Sequence, residues 1–432
     1  QEVLSTLVSN PILKSKNFIP NKNKSVLDTL PFLDDFSYNS PIADTSFWQQ
    51  SSVFINRTYP INPPTIGVAT FDGLDENGLA RDFLQSNLSA PSDTLLSQAI
   101  DLSGVDSAYF MFYFQGKGIG DAPETQDVIV LEFLNDTSAW EQIWFSAGQA
   151  MQEFEKVVKL IDDPRFLHNS FQFRFRNYAT LSGNFDHWHI DYVKLDEFVD
   201  PLDTSKLNDI SFVYGGGSFL KRYEQMPWTH FKNNEPAEMK DTVAVLVRNN
   251  GANTSVNYSY NVILSKGVND QNITTYFNDT LISFPPYPDV TNQDVEDYYV
   301  DSVNVAFKDT VVEESTFIDF ITSALKSVSF LIEHVLAPTD ISSAGMHMLY
   351  YQQEFNSSFA YDDGVAESAY GINVSGAKLA YQFKLNRADV LRAIQMYFPQ
   401  MLNSADHIPF ALTIWDDNGG VPGDTLYTET VF

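Results

Sequence analysis

Between Phe171 and Glu197 apolar and polar residues alternate with a period of two. Phe171, Phe173 and Phe175 are separated by Gln172, Arg174 and Arg176, and after Leu181-Ser182-Gly183-Asn184 the alternation resumes through Trp188, Ile190 and Tyr192. Successive side chains of a strand point to opposite faces, so the pattern predicts two strands joined by a turn, each with one apolar and one polar side. The second strand is expected to carry Trp188, Ile190 and Tyr192 on one side and His187, His189 and Asp191 on the other. Shorter runs precede it at Phe32–Phe36, Trp48, 53–55 and 67–71, separated by turn formers such as Asn62-Pro63-Pro64 and the segment 72–78. The runs 108–114 and 127–133 are almost continuously apolar, as strands buried on both faces are, and Trp140–Phe145 follows. Short strands broken by turns predict a β-sandwich over residues 30–200.

The remaining pattern divides the chain further. Residues 1–29 are polar and rich in Lys, Asn and Ser, and read as a leader or linker. Residues 201–235 read as a connector with a flexible Gly215-Gly216-Gly217 and an aromatic stretch, Tyr223 to Phe231, between domains. The glycines lack the spacing and following helix of a phosphate loop. In 236–345, two strands flank an Asn250-Gly251 turn in a manner that resembles bacterial immunoglobulin-like domains. Phe317, Phe320, Ile321, Leu325 and Val328 approximate helical spacing and predict a helix over 317–335. Residues 346–432 read as a second sandwich, incomplete because Phe432 falls inside an apparent strand. The expected class is therefore all-β, with tandem sandwiches: a jelly roll, an immunoglobulin-like unit and a truncated third.

Composition agrees with sheets, since aromatic residues make up 14% of the chain, with 34 Phe and 21 Tyr. A formal charge of −30 repels phosphate backbones and anionic lipid, which excludes nucleic acid as a partner class; bound Ca²⁺ would offset part of it. Cysteine is absent, which argues against a eukaryotic ectodomain. No apolar run is long enough for a membrane-spanning helix. A start at Gln1 is what removal of a secretory signal leaves, and equally what an excised fragment leaves.

The strand WHIDYVKL (188–195) resembles the last strand of MAM-like and carbohydrate-module-like jelly rolls, which returns beside the first strand of the domain; the resemblance implies that Phe32–Phe36 lies beside Ile190–Leu195 and closes a two-layer aromatic core. The series FDGLDENG (71–78), SAPSDTLLSQAIDLSG (89–104), YFMFYFQGKGIGDAPETQDVIVLEFL (109–134), WEQIWF (140–145) and 171–196 resembles the jelly-roll domain of large Bacteroidetes cell-surface proteins associated with type IX secretion. The segment 361–371, YDDGVAESAYG, is similar to a sandwich opening in the same class. The resemblance implies export and residence at the outer membrane or cell surface, and implies no activity by itself.

Asp186-His187-Trp188-His189-Ile190-Asp191 is the most enzyme-like cluster, and its histidines would suit zinc if three ligands converged; a sheet face of hydrogen-bonded histidines gives the same letters. Calcium needs oxygens from wrapping loops. The candidates are Asp34 or Asp35 on the first strand, Asp191 on the last, and Asp72 with Asp75, with turn chemistry as the competing explanation; Asp362, Asp363 and Glu367, and Asp416 and Asp417, rank second. No nucleophile motif is present, and no catalytic residue is assigned. Trp48, Trp140, Trp144 or Trp188 could stack on a sugar or sit in the core. Asp followed by Ser or Thr and a small or apolar residue recurs, placing the hydroxyls at Thr29, Thr94, Ser107, Thr242, Thr280, Ser302, Thr310 and Thr425. This resembles the O-glycosylation sequon of Bacteroidetes envelope proteins, and turns give the same letters. The reading is a non-enzymatic, exported surface protein, adhesin-like or an accessory of type IX secretion or gliding, with protein partners. The alternatives are a glycan-binding surface protein or the non-catalytic part of a secreted hydrolase.

Overall fold

The structure, a computed structural model, describes residues 2–14, 26–27, 30–84, 89–149, 153–197, 210–215, 217–240, 245–250, 256–266, 272–284, 327–338, 348–372, 374–399 and 408–431. It is almost entirely β. The first sandwich uses β1 (Phe32–Asp34), β2 (Trp48–Ser51), β3 (Phe54–Asn56), β4 (Val68–Phe71), β5 (Ser89–Ser97), β6 (Ala108–Gly116), β7 (Val128–Leu134), β8 (Trp140–Ala147), β9 (Glu155–Ile161), β10 (Phe173–Thr180) and β11 (Trp188–Asp196). One sheet has the order β8-β7-β10-β5-β2; the other runs β9-β6-β11-β4-β3, with β1 also paired to β11.

The pairing of β1 with β11 is the expected closure, with Phe32 opposite Leu195 and Asp34 opposite Val193. The alternating phenylalanines of β10 face inward: Phe173 and Phe175 are fully buried, with Phe32, Phe110, Phe112, Phe133 and Trp188 in the same cluster. Each such side chain withdrawn from water contributes about 1.5–3 kcal/mol. The period of two fails at one point in β11. Tyr192 has φ of 51°, and the pairing with β6 slips between Asp191 and Lys194. This β-bulge inserts a residue and reverses the faces beyond it. Val193 and Leu195 thereby join Trp188 and Ile190 in the core, while Tyr192, expected on their side, packs with Met111 in a separate cluster.

A second core lies beyond this sandwich. A five-stranded sheet orders Met226–Pro227, Met348–Asn356, Val328–Pro338, Val256–Lys266 and Asn272–Phe284. The helix expected over 317–335 is a strand where it is described. Val328, Phe330, Ile332, His334 and Leu336 are buried and the residues between them are not, so a period of two decides the segment. The stretch read as a connector contributes Ile210, Phe212, Phe219, Leu220, Tyr223, Met226, Trp228 and Phe231 to this core. Residues 348–356 pair with 328–338 and so complete the middle sheet before the C-terminal unit begins. The loop 57–66 joins the two units: the Asn62 amide donates to Tyr214 Oη at 2.6 Å, Ser211 Oγ donates to the Pro64 carbonyl at 3.3 Å, and Ile66 enters the second core. Near the C-terminus, Phe410–Asp417 and Pro422–Val431 form a hairpin.

Candidate functional site

The histidine pair belongs to the interior. His187, His189 and Asp191 do share one face of β11, and that face is covered by the loop 57–66 and by residues 117–121. His189 Nδ1 lies 2.8 Å from Thr70 Oγ1 and its Nε2 3.3 Å from the Lys117 carbonyl. His187 stacks on Tyr59 at 5.0 Å between ring centroids and its Nδ1 accepts the Asp121 amide at 2.9 Å. The Asp191 carboxylate is engaged by the Thr65 amide and hydroxyl at 2.9 Å each. Burial pushes His187 down to about 3 and His189 down to about 4, so both are neutral imidazoles. Every ligand atom a metal would use here except His187 Nε2 already has a protein partner. The chain can pass this close because Gly118 has φ of +57°, where a Cβ would overlap the Tyr59 carbonyl oxygen and the His189 ring. Gly118→Ala is expected to lower stability by about 2–3 kcal/mol in chemical denaturation. A loss below about 0.5 kcal/mol would mean that the loop moves aside freely.

The carboxylates selected from sequence are spread over different tasks. Asp34 Oδ2 accepts the Trp48 indole N–H at 2.6 Å, and burial raises Asp34 to about 7. Asp35 Oδ1 accepts the Ser37 hydroxyl at 2.6 Å, Asp72 Oδ1 the Leu74 amide at 3.1 Å, and Asp75 Oδ1 the amides of Asn77 and Leu79 at 2.9 Å each. These are turn-closing bonds, as are those of Asp363 to the Val365 amide, Asp416 to the Asp424 amide and Asp417 to the Gly420 amide. Asp34, Asp35, Asp72, Asp75 and Asp191 do not converge as one ligand set. Among the described residues the acidic group that does is Glu124, Asp127 and Asp186, with one oxygen from each within 4.8 Å of the others. Sequence reading missed it because Glu124 and Asp127 lie about sixty residues from Asp186 and the fold alone joins them. Burial, then contact with Glu124 and Asp127, raises Asp186 to about 8.

Of the four tryptophans considered for a sugar platform, Trp48 and Trp188 are in the core, and Trp144 packs edge-on to Phe112 and Phe114 at 5.0 and 4.7 Å. Trp140 lies on the outer face of the β8-β7-β10-β5-β2 sheet. The Arg174 guanidinium sits 4.1 Å above its ring, and Arg174 Nε is 2.6 Å from Glu132 Oε2. The same Glu132 oxygen is 3.5 Å from Arg176, which in turn lies 5.7 Å from the centroid of Tyr178. Phe145, opposite Val130 in the adjoining register, is 57% exposed. Strand alternation makes this row: the phenylalanines of β10 go inward, so Arg174, Arg176 and Tyr178 must go outward. Two guanidiniums, one carboxylate and three aromatic rings therefore form a half-buried patch, locally cationic on a strongly acidic chain. The signal in the sequence was the polar half of FQFRFRNY.

Of the hydroxyls in the glycosylation-like pattern, Thr425 is exposed, whereas Thr94 and Ser107 are half-buried. The aspartate before Thr94 is fully buried and paired with Arg81 at 2.9 Å, which accounts for that occurrence structurally. Thr29, Thr242, Ser302 and Thr310, and the side chain of Thr280, lie outside the described residues.

No protein-family model matches the chain, and no curated protein does. Among solved structures it is similar to the K3 adhesin domain of Lys-gingipain from Porphyromonas gingivalis, with 7% identity and a TM-score of 0.23, over 45% of this chain and 98% of that one. It is also similar to a family 27 carbohydrate-binding module of Caldicellulosiruptor saccharolyticus in complex with mannohexaose, with 11% identity and a TM-score of 0.24, over 39% of this chain and 97% of that one. The xylan-binding module CBM22-1 of Paenibacillus barcinonensis Xyn10C gives 8% identity and a TM-score of 0.22, over 38% of this chain and 92% of that one. The all-β assignment rests on the strand pairing and burial described above, and likeness of this degree carries no functional conclusion.

Proposed function

We propose that this chain is a non-catalytic binding protein, exported and displayed at the cell surface in an adhesin-like role, and that it meets a saccharide ligand on the outer face of the β8-β7-β10-β5-β2 sheet of the first sandwich. The observation that carries the reading is the row Trp140, Arg174, Glu132, Arg176 and Tyr178, with exposed Phe145 beside it. Aromatic faces give a saccharide ring an apolar surface to stack on, and guanidinium and carboxylate groups held by one another offer oriented bonds to hydroxyls. Cross-bonding of the row also reduces the ordering cost of binding. A non-catalytic role fits the described histidines: His187, His189 and His334 are enclosed, with burial lowering the pKa of each, and His168 Nε2 and His230 Nε2 bond to the Leu134 carbonyl and to Asp389. Export by type IX secretion, and protein partners at the outer membrane, are supported by the sequence resemblance alone.

Screening the chain on a glycan array, followed by calorimetry with Trp140→Ala, tests this. Binding should weaken about tenfold or more, as the loss of an aromatic anchor does, while the circular dichroism spectrum is unchanged. No binding to any glycan, or binding indifferent to Trp140→Ala and Arg174→Met, would remove the saccharide from the proposal. Hydrolysis of a glycoside or peptide by this chain would overturn its non-catalytic part.

A further inference from the structure

The loop between β6 and β7 brings Glu124 and Asp127 to one end of the sandwich, and the turn before β11 brings Asp186 to the same place, with one carboxylate oxygen of each within 4.8 Å of the other two. Asp127 and Asp186 are 0% and 1% exposed. Part of the cluster is already satisfied: Asp127 Oδ2 accepts the Glu124 amide at 2.9 Å and Asp186 Oδ2 accepts the Thr180 amide at 2.7 Å. Asp127 Oδ1 is different, being buried without a hydrogen-bond partner. A buried carboxylate oxygen left without a donor costs about 1–3 kcal/mol or more, so such atoms ordinarily face a water or an ion. The cluster contains three carboxylates and no arginine or lysine. Three carboxyl groups this close repel one another when ionised, and one amide bond to each buried aspartate does not offset that repulsion.

We infer that Glu124, Asp127 and Asp186 bind one calcium ion that cross-links the two sheets. Hard oxygen donors without imidazole or thiolate select a hard cation, and donors drawn from a loop and a turn suit the flexible, larger shell of calcium better than the octahedron of magnesium. The placement gives the ion its effect. Asp127 immediately precedes β7 in one sheet of the first sandwich, and Asp186 lies two residues before β11 in the other. An ion held between them fixes the β6–β7 loop and the start of β7, the strand that presents Glu132. This site is separate from the positions considered from sequence, which do not converge as one ligand set.

The test is thermal unfolding of the full chain after EDTA treatment, with calcium chloride added back, alongside metal analysis of the dialysed protein. One calcium per chain and a rise in Tm of about 5–10 °C at a hundredfold excess over Kd are expected, with a smaller rise for magnesium. Asp127→Asn should abolish the calcium-dependent rise while leaving the metal-free Tm unchanged or higher, because it removes a buried like charge. Asp186→Asn should also abolish the rise, and Asp75→Asn should leave it intact. Absence of any calcium-dependent shift up to about 10 mM, beyond the weakest extracellular sites, would overturn the inference. So would a shift that survives Asp127→Asn and Asp186→Asn, or one that disappears in Asp75→Asn.

Discussion

Phe173→Ala should lower the stability of the first sandwich by about 3–5 kcal/mol, the range for removing a large aromatic from a packed core. Phe173 is fully buried, and its ring lies 5.2 Å from Phe32, 5.6 Å from Trp48, 4.5 Å from Phe110 and 6.3 Å from Phe175. These partners come from β1, β2, β6 and β10, which span both sheets, so no single strand can shift to fill the void. Edge-to-face contacts add about 0.5–1.5 kcal/mol per pair beyond burial. Guanidinium unfolding, followed through the transition that the variant displaces, gives the value. A loss below about 1 kcal/mol would mean that the two sheets do not close on this residue.

Arg81→Met should be comparably damaging at pH 8 and much less so at pH 5. Arg81 Nη2 lies 2.9 Å from Asp93 Oδ1 and also bonds the Leu74 carbonyl; the Asp93 carboxylate is fully buried and further accepts the Gly73 amide. Burial raises Asp93 to about 6 even with Arg81 present, and burial together with Asp93 raises Asp72 beside it. A carboxyl whose folded pKa exceeds its unfolded value of 3.8 binds its proton more tightly in the fold, so its ionisation destabilises as pH rises through that window. Without the guanidinium the window extends upward. At pH 8 the variant must bury an unpaired charge or take up a proton, at a cost of about 3–5 kcal/mol, whereas at pH 5 Asp93 is largely neutral and the loss should fall to about 1 kcal/mol. Urea denaturation of both proteins at the two pH values measures this, and a pH-independent difference would mean that Arg81 acts through packing.

Local pattern carried much of the first sandwich. Phe173 and Phe175 pointed inward because alternation is a property of the backbone, and the same alternation sent Arg174, Arg176 and Tyr178 out to meet Trp140. Where the local signal was ambiguous, packing decided. The segment 328–336 matched a helical spacing at a few positions, yet it lies in a sheet with one face against the second core. Tyr192 could not have been assigned from spacing, since a bulge arises from how β11 meets both β6 and β1.

The sequence by itself determined the all-β class and the inward and outward residues of β10, because these follow from side-chain period and turn chemistry within a few residues, whereas the closure of β1 on β11 was implied by the resemblance of 188–195 to a jelly-roll last strand. Tertiary structure alone decided that the histidines are enclosed, that the expected calcium aspartates do not converge, and that Glu124 and Asp127 meet Asp186. Each of these depends on which distant loops fold over a strand end, and burial and proximity, which set the chemistry of a carboxylate or an imidazole, are not written in the neighbouring residues.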